Sequence, residues 1–186
     1  MFFNFKAMKQ LAIFSILIFS AFSCSKNKDT GPRKTGEITL STKLYFNNQT
    51  YFSKAYSFSK GDFVNYPPEK ADLVATAKTD ARGVKTGISL NSDQLNFEPF
   101  VILGNFASAS EAQTFFDEYK VADDTVWVDF IQTLQANQVI LYKSYSDHYA
   151  KLLIENVTIP DSDPSTGYAE VKIKFVYQPQ DTNSFE

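Results

Sequence analysis

The residues of this sequence that could catalyse a reaction or bind a metal are few, and the single histidine is the first to consider. His148 would need a serine and a carboxylate beside its ring to act in a Ser-His-Asp triad. Asp147 precedes it directly, and neighbouring residues of a strand point to opposite sides, so this carboxylate would not lie behind the ring. A closed zinc site needs four ligands, mostly cysteine and histidine, and the chain has one of each. We therefore interpret His148 as a solvated turn residue and predict no metal site around it.

Acidic residues near the C-terminus are a second source of chemistry. Glu155, Asp161 and Asp163 offer the oxygen ligands that calcium prefers. The loop at 160–167 lacks the glycine and the closing glutamate of an EF-hand, so we interpret it as an acidic loop broken by prolines. The turn at 80–83 is no phosphate-binding loop, since the chain has only seven glycines. The sequence predicts no catalytic residue, and we expect no enzyme.

An apolar run at 11–22 precedes the only cysteine, Cys24. Its length suits the core of a signal peptide and is too short for a transmembrane helix, which needs ~20 apolar residues. Two lysines and no acid precede the run, which is the order of charges in an export signal. Residues 1–23 are therefore predicted to be a signal peptide. Its start is Met1 or, as a more compact signal, Met8.

The end of this run, Ala21-Phe22-Ser23-Cys24, resembles the lipobox of bacterial lipoproteins. The resemblance implies cleavage before Cys24 and acylation of its sulfur with palmitate-type chains. Each buried methylene contributes about 0.8 kcal/mol, so two or three acyl chains give firm anchoring. We therefore expect a lipoprotein of the outer membrane, on its periplasmic or cell-surface side. Lipidation would use the only thiol, so the mature domain is predicted to contain no disulfide.

The net charge and the length of the chain limit its partners and its number of domains. The net charge is −3 and no basic run alternates with aromatic residues, so nucleic acid is not expected as a partner. The acidity also indicates that the lipid, and not a basic patch, holds the protein at the membrane. Residues 24–36 are predicted to be the lipidated cysteine and a flexible tether, because they are polar and lack an apolar period. Residues 37–186 are long enough for one β-rich domain.

Alternation of apolar and polar residues predicts most of the strands of this domain. Eighteen phenylalanines and ten tyrosines also favour β structure. The run at 72–77 is nearly all apolar, which predicts a central strand covered on both faces. The last strand is expected to have one buried and one solvated face. The predicted strands are 38–46, 51–58, 63–66, 72–77, 88–90, 100–103, 139–142, 149–157 and 169–177.

Two segments have a helical period. Residues 108–119 are predicted to be a short amphipathic helix, with Ser110 and Gln113 at the spacing of a capping box. Residues 123–135 fit two patterns: one apolar set indicates a helix that begins near Thr125, and another, every second residue, indicates a strand. We favour the helix. The predicted fold class is thus mainly β, with antiparallel sheets in a sandwich-like arrangement and one or two short helices.

Four segments resemble a known family. The strand YAKLLI at 149–154 and the strand VKIKFVYQP at 171–179 are similar to the end of the HmuY-type lipoproteins, which capture haem at the cell surface. The segments YSFSKG at 56–61 and ADL at 71–73 resemble the early turn and following strand of that family. The resemblance implies an HmuY-like all-β fold, a haem pocket between its strands and an outer-membrane transporter as partner.

The same resemblance implies two axial ligands on the haem iron, histidines or methionines. Both methionines of this chain precede the predicted cleavage site and only one histidine exists, so such a pair cannot form. What remains is His148 with Tyr149 or Tyr145, since tyrosine ligates ferric haem in some proteins. The predicted function is a lipid-anchored binding lipoprotein for haem or another apolar ligand. The alternative is an interaction lipoprotein that contacts envelope proteins or glycans without a small ligand.

Overall fold

A computed structural model describes residues 34–93, 96–122, 126–180 and 182–185. The predicted signal peptide, Cys24 and most of the predicted tether lie outside these residues. In the described part of the chain, no helix is both long and apolar enough to cross a membrane.

Ten strands and one helix make up the described chain, so the mainly β fold class is confirmed. The strands are antiparallel throughout, and the first begins at Thr35, inside the predicted tether. The elements are β1 Thr35–Ser41, β2 Tyr45–Phe46, β3 Tyr51–Ser57, β4 Asp62–Tyr66, β5 Val74–Thr79, β6 Lys85–Asn91, β7 Phe100–Asn105, α1 Ala109–Glu118, β8 Gln138–Lys143, β9 Tyr149–Asp161 and β10 Tyr168–Gln178.

The main sheet has five strands in the order β1-β10-β9-β8-β7. Its inner face is apolar because alternate residues of each strand point the same way. On β10 the odd-numbered residues from Ala169 to Tyr177 are all buried, and the residues between them are exposed or half-buried, as the sequence predicted. The long strands β9 and β10 pair over nearly their whole length and form the centre of the sheet.

A second layer covers this inner face. It consists of the three-stranded sheet β2-β3-β4 and the hairpin β5-β6. Tyr56, Phe58, Leu73 and Leu90 from this layer belong to the same buried cluster as the inner residues of the main sheet. The domain is therefore a sandwich around one principal core. The prediction of a central strand at 72–77 is wrong, because β5 pairs only with β6 and only its first two residues are buried.

Helix α1 lies on the outer face of the main sheet. Ala112 and Phe116 pack against Val139 and Leu153, which are the outward residues of β8 and β9. The helix was predicted from its period, and its existence is confirmed.

The predicted helix at 123–135 is wrong for the described residues from 126 onwards. The backbone of Val128 exchanges two hydrogen bonds with Phe100 at the edge of β7, and Ile131 exchanges two with Leu90 of β6. These bonds hold the segment extended, so it links the two layers along one side of the sandwich. Pairing with two strand edges satisfies the backbone groups that a helix would have paired internally.

Candidate functional site

A cleft of about 890 Å³ opens where the segment that follows residue 126 crosses the edge of β7. We call it the aromatic cleft. It is lined by Asn91, Ser92, Asn96, Phe97, Glu98, Trp127, Val128, Asp129, Phe130 and Lys143. Two stretches of chain, one before β7 and one before β8, therefore supply its walls.

Two of the three aromatic side chains of the cleft pack on other rings. Trp127 packs against the outer-face cluster that includes Val101 and Leu141, and its ring lies 6.4 Å from that of Tyr149. Phe97 packs on Tyr145 with ring centroids 4.7 Å apart. Phe130 is the most open of the three, with 41% of its surface exposed. Part of each ring thus remains accessible from the cleft.

Polar groups line the rest of the aromatic cleft. Lys143 is the one cation among its described lining residues, and its Nζ lies 5.9 Å from the centroid of the Trp127 ring. The ammonium is also 2.8 Å from a carboxylate oxygen of Asp147, and this hydrogen bond raises the pKa of Lys143. Asp129 and Glu98 add carboxylates. Such a site can stack a flat ring and form hydrogen bonds to polar groups at the edge of that ring.

His148 lies in a different cavity. This second cavity measures about 410 Å³ and is lined by Asp72, Tyr145, His148 and Tyr177 among others. The main chain of His148 closes a turn with Ser144, as expected, but its ring is half-buried and its Nδ1 lies 3.1 Å from the hydroxyl of Tyr177. The backbone thus agrees with the interpretation of a solvated turn residue, whereas the ring is only partly exposed to solvent.

The structure brings Tyr145 and His148 to one cavity and separates Tyr149 from both. Tyr145 is 58% exposed and stacks on Phe97, so it stands between the second cavity and the aromatic cleft. Tyr149 follows His148 on the chain and points to the opposite face of the main sheet, where it packs near Trp127. Alternation along a strand makes this separation unavoidable.

A polar network around Asp72 forms the floor of the second cavity. One carboxylate oxygen of Asp72 accepts a hydrogen bond from the hydroxyl of Tyr142 at 2.6 Å, and the other accepts one from the Phe58 amide at 2.7 Å. Burial, and then the charge of Asp72, raise the pKa of Tyr142 well above its usual range. The same two causes raise the pKa of Tyr177 to about 12. Sequence reasoning missed this network because Asp72 and Tyr142 are 70 residues apart in the chain.

The acidic residues considered for calcium have partners within the protein. Asp163 accepts hydrogen bonds from the Ser165 hydroxyl and from the amides of Ser165 and Thr166, and these bonds lower its pKa. Glu155 lies 2.8 Å from the ammonium of Lys172 on the neighbouring strand. Among the residues that the structure describes, no three or more histidine, cysteine or acidic side chains are grouped to hold a metal ion. The loop at 162–167 is thus organised by Asp163 itself.

Comparison with protein-family models, with curated protein sequences and with solved structures found no match for this chain. The geometry of the aromatic cleft and the sequence patterns are therefore the basis on which a function is proposed.

Proposed function

We propose that this protein is a non-catalytic, lipid-anchored binding lipoprotein of the outer membrane that holds a flat ring-shaped ligand in the aromatic cleft. The observation that carries the proposal is the convergence of Phe97, Trp127 and Phe130 on one cavity of about 890 Å³. Aromatic faces exposed inside a concave, largely preformed cleft are typical of sites for planar ligands. The leader and Cys24 support export and anchoring.

The resemblance to HmuY-type lipoproteins suggests haem as that ligand, but the residues present do not fit axial ligation of its iron. The described lining of the aromatic cleft contains no histidine, cysteine, methionine or tyrosine, which are the usual protein ligands of haem iron. His148 is hydrogen-bonded to Tyr177 in the other cavity. We therefore propose that the ligand is recognised through the face of its ring, as in a porphyrin, and not through an iron–histidine bond.

Trp127 makes this proposal directly testable, because it is the only tryptophan of the chain and it lines the aromatic cleft. The protein from residue 25 onwards is titrated with haemin and with metal-free protoporphyrin, and both tryptophan emission and the Soret band are recorded. We expect both porphyrins to quench Trp127 with similar affinity. Phe130→Ala should weaken binding about fivefold, the loss of ~1 kcal/mol of ring stacking.

Two matched variants serve as controls. Phe63→Ala removes a ring of nearly the same exposure, 40% against 41%, from the other layer of the sandwich, and should leave binding unchanged. His148→Ala should also leave it unchanged. The proposal fails if neither porphyrin alters the emission of Trp127. Binding of haemin alone, abolished by His148→Ala, would instead indicate iron ligation in the second cavity.

A second candidate function is the binding of an envelope glycan or protein without a small planar ligand. It is favoured by the polar side chains beside the aromatic rings, above all Asn91, Asn96 and Asp129. Amide and carboxylate groups form paired hydrogen bonds with sugar hydroxyls, and sugar rings also pack on aromatic faces. The same fluorescence titration with soluble oligosaccharides distinguishes the two, because only one class of ligand should quench Trp127 at micromolar concentration.

A further inference from the structure

The hairpin formed by β2 and β3 presents a continuous exposed stretch. All nine residues from 43 to 51 are exposed, although several of them are large and apolar. A soluble domain normally buries such side chains or uses them for contact with another surface. The exposed fractions are 64% for Leu44, 38% for Tyr45, 55% for Phe46 and 64% for Tyr51.

This hairpin is held in a defined shape. The rings of Tyr45 and Phe52 stack at 5.6 Å, and those of Phe46 and Tyr51 lie 4.8 Å apart across the strand pair. At the tip, the side chain of Asn47 accepts hydrogen bonds from the backbone amides of residues 49 and 50, at 3.1 and 2.8 Å. The apolar surface is therefore preformed, and little conformational entropy would be lost when it docks.

The charge of this region has the opposite sign to that of the whole chain. Residues 38–61 contain three lysines and no acidic residue, whereas the full sequence has 21 acids and a net charge of −3. Lys60 pairs with Glu69, and Lys54 donates one hydrogen bond to the side-chain oxygen of Asn65. Lys43 and the other ammonium protons of Lys54 can therefore contact an outside partner. Their ammonium groups lie 5.9 Å from the Tyr45 ring and 5.5 Å from the Phe52 ring. Aromatic and lysine side chains together are typical of elements that lie in the headgroup region of an anionic membrane.

The chain connection permits contact with the membrane that carries the anchor. Strand β1 has seven residues, or roughly 20 Å, and the hairpin follows its far end. The ten residues from 25 to 34 can span at most about 35 Å. The hairpin and a lipidated Cys24 can therefore reach the same bilayer. This step rests on the lipidation proposed above, whereas the exposure and charge of the hairpin do not.

We propose that the β2–β3 hairpin is a membrane-docking element. Leu44, Phe46 and Tyr51 enter the interfacial region of an anionic bilayer, and Lys43 and Lys54 contact lipid phosphates. Docking would fix the orientation of the domain on the surface, which a lipid anchor at Cys24 does not itself determine.

The test uses the unlipidated protein from residue 25, which contains the whole sandwich and its core. It is sedimented with vesicles of phosphatidylcholine alone and of phosphatidylcholine mixed with phosphatidylglycerol. We expect binding to the anionic vesicles that weakens with added salt. The triple variant Leu44→Ser, Phe46→Ser, Tyr51→Ser should lower the partition coefficient at least about tenfold.

The controls separate docking from general hydrophobicity and from ligand binding. Ile102→Ser with Ile159→Ser changes two other exposed apolar residues, on β7 and β9, and should keep full vesicle binding. The double variant Lys43→Gln, Lys54→Gln should bind anionic vesicles more weakly than the wild type does, and any binding to vesicles of phosphatidylcholine alone should be unchanged. Every variant should keep the circular dichroism of the folded protein and the porphyrin response of Trp127, so failure here is distinguishable from failure of the aromatic cleft.

Two results would overturn this proposal. Equal vesicle binding by the wild type and the triple hairpin variant would show that another surface makes the contact. Absence of binding by the folded wild-type protein to either vesicle would indicate that the hairpin contacts a protein instead.

Discussion

At the scale of single residues, Asp72 connects distant parts of the fold through hydrogen bonds. Its two carboxylate oxygens are each used, one by Tyr142 and one by the Phe58 amide. Tyr142 is fully buried and Phe58 stacks on Tyr177 at 4.7 Å, so the network joins both layers of the sandwich. A buried hydroxyl without a partner would cost about 1–3 kcal/mol, and Asp72 removes that cost.

The raised pKa values of Tyr142 and Tyr177 predict a loss of stability at high pH. The usual tyrosine pKa is 10.0, and both folded-state values lie above it. The unfolded chain therefore releases these protons first, so the contribution is complete below pH 10 and is lost as the pH rises above 10. For Tyr177 the loss ends near its folded pKa of about 12. Urea titrations should show the free energy of unfolding falling by up to ~1.4 kcal/mol per pH unit for each phenol.

Substitution assigns this effect to single residues. Tyr177→Phe should make the decline between pH 10 and 12 shallower, because one titrating group is removed. Tyr142→Phe should likewise make the decline above pH 10 shallower, because its pKa is also raised. A decline that persists unaltered in both variants would mean that other groups cause it.

Lys151 is a second residue whose role only the fold reveals. It is 3% exposed, and its ammonium donates to the carbonyl oxygens of Phe116 and Tyr119 at the end of helix α1. Burial lowers the pKa of Lys151, and Lys120 lowers it further. The helix has no basic residue in its own last turn, so this lysine of β9 satisfies the carbonyl groups there. The lysine in the YAKLLI strand thus lies on the outer face of the main sheet, where it is buried under helix α1 and caps its C-terminal end.

At the scale of elements, helix α1 shows what a spacing pattern predicts correctly and what it does not. Both Ser108 with Glu111 and Ser110 with Gln113 match the capping-box spacing. The structure selects the first pair: Ser108 is extended, with φ −136° and ψ 156°, and its hydroxyl accepts the Glu111 amide. The period thus located the helix, but the assignment of Ser110 as the cap was wrong by two residues, because a cap depends on where the backbone leaves the extended region.

Paired substitutions test this assignment. Ser108→Ala should lower the free energy of unfolding by about 1 kcal/mol, since the amide of Glu111 loses its acceptor. Ser110→Ala, at an exposed position in the first turn, should change it by less than about 0.5 kcal/mol. Urea denaturation of both variants measures the difference. The reverse order would return the cap to Ser110.

The segment after residue 126 is the element for which local pattern failed. Its apolar residues fit a helix and a strand about equally, and the choice between them depended on partners far away in sequence. The free edges of β6 and β7 bond its backbone, which makes the extended form the stable one. The same backbone pairing creates the aromatic cleft, because it places Trp127 and Phe130 beside Phe97.

At the scale of the whole molecule, anchoring and binding are predicted to be separate properties. At high salt, which weakens docking by the β2–β3 hairpin, Cys24→Ala should move the protein from the membrane fraction to the soluble fraction, because the acyl chains supply most of the membrane affinity. Fractionation followed by immunodetection measures this. The soluble form should still quench Trp127 with porphyrin. Full retention of the Cys24→Ala variant in the membrane fraction would contradict lipidation.

The mainly β class and most strand positions followed from the sequence alone, because they depend on local composition and on a period of two. The export signal and the lipidation of Cys24 stay predictions. Only the tertiary structure decided which side chains meet. It separated Tyr149 from His148 by strand alternation, placed His148 against Tyr177, and extended the segment that was expected to be a helix. A ligand site is formed by residues that are far apart in the sequence. Their contacts depend on strand pairing over long distances, which a short stretch of sequence does not reveal. The aromatic cleft and the exposed hairpin therefore became visible only when distant strands were paired.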